Sequence, residues 1–216
     1  MYGNGDENSN GEKYLYNFLE NKCKIIFDVG AGVYPYYIMN NTITYHLFEP
    51  YVPIFKQLEE KIKDRPNIIA NCIALGDAKK SYPFYFENGM SFVNRSGTAH
   101  SDMLIETITL DDYIQTHEVK HIDFLKIDTE GWEFSVLKGA IGSLNKINHI
   151  QFEYGHTWIE GGFHLKEAID FLSISGFNSF IIVPNGLKII PNFSDHGVYC
   201  NYFATRKQEE IQEIIR

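Results

Sequence analysis

Three features of the sequence predict an α/β fold, a doubly wound and mostly parallel sheet of seven strands with helices on both faces. Apolar runs of strand length alternate with segments of helical periodicity along most of the chain. The first run, residues 24–29, is apolar almost throughout and is followed by glycines, as suits a strand covered on both faces. The last two runs are joined by a loop alone, which permits an antiparallel closing pair.

The elements follow in order. Residues 1–11 are rich in Gly, Asn, Asp and Glu and are expected to be disordered, leaving residues 12–216 as a single domain. Tyr14, Leu15, Phe18 and Leu19 recur at helical spacing and predict a short amphipathic helix over 13–21. Strands are expected at 24–29, 42–48 and 67–75, with a helix over 52–63 between the last two. Residues 81–94 are aromatic and irregular and read as a hairpin or an ordered loop. Residues 109–113 open a short helix. A fourth strand over 123–127 precedes a helix over 133–144, and a fifth over 149–153 precedes a helix over 165–175. The sixth and seventh strands are 178–183 and 198–205, and the Pro and Gly signals of 184–197 mark the loop between them.

Composition excludes several classes. Of 216 residues 44% are hydrophobic and 22% charged, an ordinary globular balance that rules out disorder of the whole chain. The three cysteines, Cys23, Cys72 and Cys200, are odd in number and far apart, so neither a disulfide framework nor a structural zinc site is expected. No window is apolar enough to span a membrane, and the polar start lacks a signal core, so a cytoplasmic location is expected. The net charge of −9, with no basic run longer than Lys79-Lys80, argues against nucleic acid as a partner.

The chemistry concentrates at strand ends. Asp28-Val29-Gly30-Ala31-Gly32 follows the first strand, where glycines let backbone approach a ligand. Glu49 ends the second strand and can accept both hydroxyls of a ribose. Pro35, at the sixth position counted from Gly30, counts against a dinucleotide. Asp28 would repel a pyrophosphate but suits an ammonium group. A ligand with a ribose at one end and an amino acid at the other is S-adenosylmethionine.

Around these residues the chain resembles the FkbM family of S-adenosylmethionine-dependent methyltransferases. The matching blocks are Asp28-Val29-Gly30-Ala31, Phe48-Glu49-Pro50 with Phe55 and Leu58, Ala74-Leu75-Gly76-Asp77, Thr109-Leu110-Asp111-Asp112, and the most specific, 125–133 with Val136-Leu137-Lys138-Gly139. They cover roughly residues 25–155. The departure is at Gly32 to Tyr34, where the family often has Asn-x-Gly. The resemblance implies a Rossmann-like class I methyltransferase fold with its last strand antiparallel. It implies O-methylation, often of sugars, and a cofactor site of Asp28, Gly30, Ala31, Gly32, Glu49, Pro50, Ala74, Ser91 and Lys126. It also implies work beside glycosyltransferases.

Asp128 and Glu153 sit at the ends of the fourth and fifth strands, where ligands of such sheets bind. Two versions of the acceptor chemistry fit. Asp128 or His156 takes the acceptor proton directly. Alternatively Asp128, Glu153 and His156 hold a magnesium or manganese ion that binds the acceptor hydroxyls, as in O-methyltransferases similar at the level of fold. Glu130 and Glu133 read as acids favoured at a helix start. Tyr154, His156 and Trp158 read as a sugar platform, and 82–94 as a flap over the pocket. The leading expectation is O-methylation of a glycan or glycoconjugate sugar. The alternatives are a non-sugar metabolite as acceptor, or a non-catalytic nucleoside-binding module, for which Tyr34 is the one indication.

Overall fold

The computed structural model describes residues 6–33, 35, 40–87, 90–93, 103–190 and 193–216; of residues 86, 87 and 90–93 only the backbone is described. In chain order the elements are α1 (Glu12–Leu19), β1 (Ile25–Val29), β2 (Thr44–Phe48), α2 (Val52–Ile62), β3 (Ile68–Asn71), β4 (Ala74–Leu75), β5 (Lys80–Glu87), β6 (Met90–Val93), β7 (Leu104–Ile108), α3 (Leu110–Thr116), β8 (Ile122–Ile127), α4 (Glu133–Lys138), β9 (Ile147–Tyr154), α5 (His156–Glu160), α6 (Leu165–Ile174), β10 (Asn178–Val183), β11 (Gly186–Lys188) and β12 (Cys200–Thr205).

The main sheet runs β11-β10-β12-β9-β8-β1-β2-β3. Strands β3, β2, β1, β8 and β9 are mutually parallel, and β12 is antiparallel to both β9 and β10. Seven of these strands are the expected ones, with the last reversed. The eighth, β11, folds out of the 184–197 loop and adds an antiparallel edge to β10.

Strand alternation sorts the core into two layers. Ile26, Tyr45, Phe124, Phe180 and Phe203 face α1, with its Leu15, Tyr16 and Leu19. Phe27, Leu125, Ile150, Phe152 and Tyr202 face the other way, with α3, α4 and α6. Among the described residues no helix is long and apolar enough to cross a membrane.

Two expectations change. The run 67–75 is not one strand: β3 ends at Asn71, and Ala74–Leu75 leave for a second sheet of order β4-β7-β5-β6. Apolar character alone cannot tell one strand from two that bury themselves in different sheets. The irregular 81–94 segment supplies the antiparallel β5–β6 pair of that sheet. The helix expected over 133–144 stops at Lys138; Gly139 and Gly142 disfavour its continuation, and a short 3₁₀ turn at Leu144–Lys146 leads into β9. The described part of the polar N-terminal segment forms a turn. Asp6 accepts from the backbone of Ser9 and Asn10, and Asn10 Oδ1 accepts from Glu12 N at 2.9 Å.

Candidate active site

The parallel strands β1, β2, β8 and β9 bring their carboxyl ends together, and the expected cofactor loop lies there. The chain leaves β1 at Gly30 with φ +87, and Gly30 N and Ala31 N both donate to Phe48 O at the end of β2, at 2.9 and 3.0 Å. A Cβ on Gly30 would meet Asp128 O at 1.8 Å, so only glycine allows the β1 and β8 ends this close. Asp128 N donates to Val29 O at 2.9 Å on the same seam.

Glu49 sits just past β2 and is 4% exposed. Its two oxygens accept from Gly32 N at 3.2 Å and Tyr51 N at 2.8 Å. Burial pushes its pKa up, opposed by these two N–H groups, and Asp28 adds to the rise. Glu49 therefore already ties the glycine loop to the end of β2, with acidic oxygens at the place where a ribose is expected. Pro50 follows it, half-buried.

Asp28 and Lys126 are neighbours across β1 and β8. Asp28 is 1% exposed, and its Oδ1 lies 3.9 Å from Lys126 Nζ. The ammonium also donates to Asp128 Oδ2 at 2.7 Å. Burial works against this ammonium, yet Asp128, Asp28 and Glu12 together hold its pKa well above the ordinary lysine value. Lys126 and Asp128 thus share a face, as strand alternation predicts.

Beyond Asp128 the chain makes an unusual turn. Glu130 adopts φ +54 and Gly131 φ +98. A non-glycine residue in that region costs about 1–2 kcal/mol and needs support. Glu133 supplies it: its Oε1 accepts from Thr129 N at 2.7 Å and Gly131 N at 3.1 Å. Glu133 is fully buried, and burial raises its pKa to about 7. The acids at this helix start therefore divide their work, Glu133 bracing the turn while Glu130 joins the site.

One oxygen each from Asp128, Glu130 and Glu153 lie within 4.8 Å of one another. Burial first, then the charges of Asp128, Glu133 and Glu130, push the Glu153 carboxyl up to about 10. Crowded carboxylates that resist ionisation share a proton or take a cation.

His156, expected in this cluster, is not part of it. The chain turns at Gly155 directly into α5, and the His156 side chain is 70% exposed with Nε2 3.3 Å from Glu160. Glu130 takes the third place. Trp158 and Tyr154 are both fully buried and pack against Phe134, Phe152 and Tyr202, so they are core and not a sugar platform. Ala74 lies in the second sheet, beside Phe84 and Ile105 and against Tyr51. Ser91 belongs to β6, whose side chains lie outside the described ones, as do Tyr34 and the tip of the 82–94 segment. Three residues absent from the sequence expectations reach the site: Glu12, Tyr199 and Asn201. Tyr199 lies beside Glu153, and the two raise and lower each other's pKa: the carboxyl raises that of the phenol, and the phenol lowers that of the carboxyl. Asn201 faces Glu153 across β9 and β12.

Comparisons with known proteins show the family and the fold. The methyltransferase FkbM domain matches residues 28–179. The hexuronic acid methyltransferase AglP of Haloferax volcanii is 28% identical over 156 residues, covering 69% of this chain and 61% of its own length. The crystal structure of methyltransferase FkbM from Methylobacillus flagellatus is similar at 18% identity with a TM-score of 0.52, over 84% of this chain and 43% of that one. SMU.1697c of Streptococcus mutans, solved with S-adenosylhomocysteine, is similar at 10% identity and a TM-score of 0.52, over 90% and 97%. At these identities the likeness to the solved structures is one of fold, the class I methyltransferase fold. The present chain spans less than two thirds of the length of AglP. Because the family model matches more than half of its length, the chain belongs to the FkbM family of S-adenosylmethionine-dependent methyltransferases.

Proposed function

We propose that the protein transfers the methyl group of S-adenosylmethionine to a hydroxyl of a sugar in a glycan or glycoconjugate. The observation that carries this reading is the seam between Gly30 and Asp128. It sets the cofactor loop directly against the cluster of Asp128, Glu130 and Glu153. The hexuronic acid methyltransferase supports a sugar acceptor.

In this reading Glu49 exchanges its loop contacts for the ribose hydroxyls, and Gly30, Ala31 and Gly32 line the cofactor's path. Asp28, paired with Lys126, sets the potential around its amino-acid end. The acceptor oxygen attacks the sulfonium methyl, the carbon–sulfur bond breaks with its electrons going to sulfur, and S-adenosylhomocysteine leaves. The acceptor proton passes to Asp128, while Glu153, which burial and its acidic neighbours keep protonated, holds the acceptor by a hydrogen bond. Positioning of such a pair supplies up to about 7–11 kcal/mol of barrier reduction, and a placed base about 10²–10⁴-fold in rate.

The carboxylates also fit a hard divalent cation, since the donor set is all oxygen and carries excess negative charge. A magnesium or manganese ion, when bound, lowers the pKa of the hydroxyl it holds.

Calorimetric titration of S-adenosylhomocysteine tests the cofactor half, with Glu49→Ala as control and with EDTA or added manganese. Micromolar binding lost in Glu49→Ala supports it; no binding under any condition refutes it. Methyl transfer to a panel of methyl hexosides and hexuronosides tests the acceptor half.

A further inference from the structure

A row of buried polar side chains crosses four strands on the α1 face of the main sheet. Asp28 of β1 pairs in register with Lys126 of β8, and Lys126 with Gln151 of β9. Gln151 Nε2 reaches Asn201 Oδ1 of β12 at 3.5 Å. All four are at most 8% exposed. A buried row of this kind is expensive unless its groups are paired, and its hydrogen bonds then have defined directions.

Glu12 sets those directions. It opens α1, is 6% exposed, and accepts from the Asn201 amide. A carboxylate only accepts, so the Asn201 –NH2 is turned toward Glu12 and its carbonyl toward Gln151. The same –NH2 donates to the Tyr199 hydroxyl at 3.3 Å. Having accepted there, the Tyr199 hydroxyl is left free to turn its own proton toward Glu153, the carboxyl beside it. The helix that carries Glu12 is pinned beside the sheet: Gly11 adopts φ +104, and a Cβ there would meet Val183 O of β10 at 2.3 Å.

We infer that Glu12, Asn201 and Tyr199 are positioning residues for methyl transfer: acting in series, they keep one oxygen of Glu153 occupied and aim the other at the acceptor. This rests on the acceptor site proposed above. It makes α1 part of the active site, although none of its residues needs to touch substrate.

The test is a double-mutant cycle on kcat with S-adenosylmethionine and methyl hexosides or hexuronosides. Tyr199→Phe deletes the hydroxyl. Asn201→Asp is nearly isosteric but turns the Tyr199 proton away from Glu153. Each lowers kcat by about twofold to tenfold, the worth of one hydrogen bond between neutral groups. The KM for S-adenosylmethionine stays within about twofold. The double variant is no worse than the poorer single one, because both break one chain. Glu12→Gln, which still offers Asn201 an acceptor oxygen, recovers most of what Glu12→Ala loses. Additive effects, or a rise confined to KM, overturn the inference. If the wild type binds S-adenosylhomocysteine yet methylates no sugar, the sugar reading falls and the relay is decided spectroscopically. The ¹³Cζ resonance of Tyr199, assigned by its loss in Tyr199→Phe, then shifts in Asn201→Asp and Glu12→Ala but not in Glu12→Gln. An unmoved resonance in the first two overturns the relay.

Discussion

Gly30→Ala is the sharpest probe of the seam on which the proposed site depends. Two costs can be separated. At φ +87 any residue with a Cβ is strained, by about 1–2 kcal/mol. The second cost is contact: the new methyl group would sit 1.8 Å from Asp128 O, where real Cβ atoms keep at least 3.0 Å. Neither side of that contact is a flexible side chain, so the ends of β1 and β8 must part by more than an ångström. The Asp128 N to Val29 O bond spans the same gap and is lost, adding about 1 kcal/mol. The sum, about 2–3 kcal/mol before any repacking, corresponds to a fall in Tm of roughly 5–10 °C for a chain of this size. Gly162→Ala provides the control. It also has positive φ, +71, but no described residue lies within 4 Å of where a Cβ would sit, so it carries the conformational cost alone. Thermal unfolding and S-adenosylhomocysteine calorimetry on both variants separate the two effects. Gly30→Ala should be the less stable and should lose cofactor affinity, because Gly32 and Glu49 hang on the displaced turn. Equal stability and wild-type affinity in both variants would refute the argument that this seam joins the two halves of the site.

Other perturbations report on separate parts of the molecule. His46 is buried, stacked on Phe27 at 4.3 Å and hydrogen-bonded to Tyr113; burial first, and then His117, lower its pKa from 6.5 to about 4. The unfolded chain takes up this proton below about pH 6.5 and the folded chain does not until about pH 4, so the stability it provides is intact above 6.5 and lost as pH falls. The loss reaches about 3 kcal/mol. Urea unfolding across that range should show it, His46→Phe should flatten it, and His149, also buried with a lowered pKa, should leave a residual slope. Glu153→Gln removes one of the crowded carboxylates, so it should raise Tm in EDTA while abolishing any manganese-induced stabilisation and methyl transfer; a lower Tm would show that the carboxylates do not repel. Trp158→Ala should cost about 3–5 kcal/mol by chemical denaturation, whereas Trp158→Phe should cost much less, because the indole N–H has no hydrogen-bond partner among the described residues. Neither change should alter the acceptor KM if Trp158 is core.

The parts of the site legible in the sequence are those that local periodicity fixes. Asp28, Glu49, Asp128 and Glu153 stand at the ends of apolar runs, and a doubly wound sheet collects such ends at one edge whatever the loops do. Glu130 was ambiguous because an acid before a helix usually serves its N-terminus. The Glu130-Gly131 pair was the available signal, since glycine invites the left-handed turn that both residues adopt. Asn201 and Tyr199 were not legible: their meaning comes from the register of β12 on β9 and from how its hydrogen bonds run. Glu12 required knowing that α1 packs over that same face. Trp158 misled for the opposite reason, since an aromatic residue near a strand end looks the same in sequence whether it lines a pocket or fills the core.

Electrostatics narrows what the acceptor can be. In the proposed acceptor site Asp128, Glu130 and Glu153 crowd together, and Asp28 and Asp128 already engage Lys126 beside them. A neutral sugar enters this field with only its hydroxyls to place. A hexuronic acid brings a further carboxylate, and at roughly 4 Å each like-charge contact costs about 4 kcal/mol at an effective dielectric of 20. Lys126 cannot offset that without abandoning Asp128. A divalent cation held by the cluster reverses the sign, because it can take the sugar carboxylate and a neighbouring hydroxyl as ligands. Methylation of a methyl hexuronoside should therefore depend steeply on manganese or magnesium, and that of the matching methyl hexoside far less. Equal transfer to both sugars in EDTA would mean that the acceptor lies away from the carboxylates, and that Asp128 and Glu153 serve the cofactor side alone.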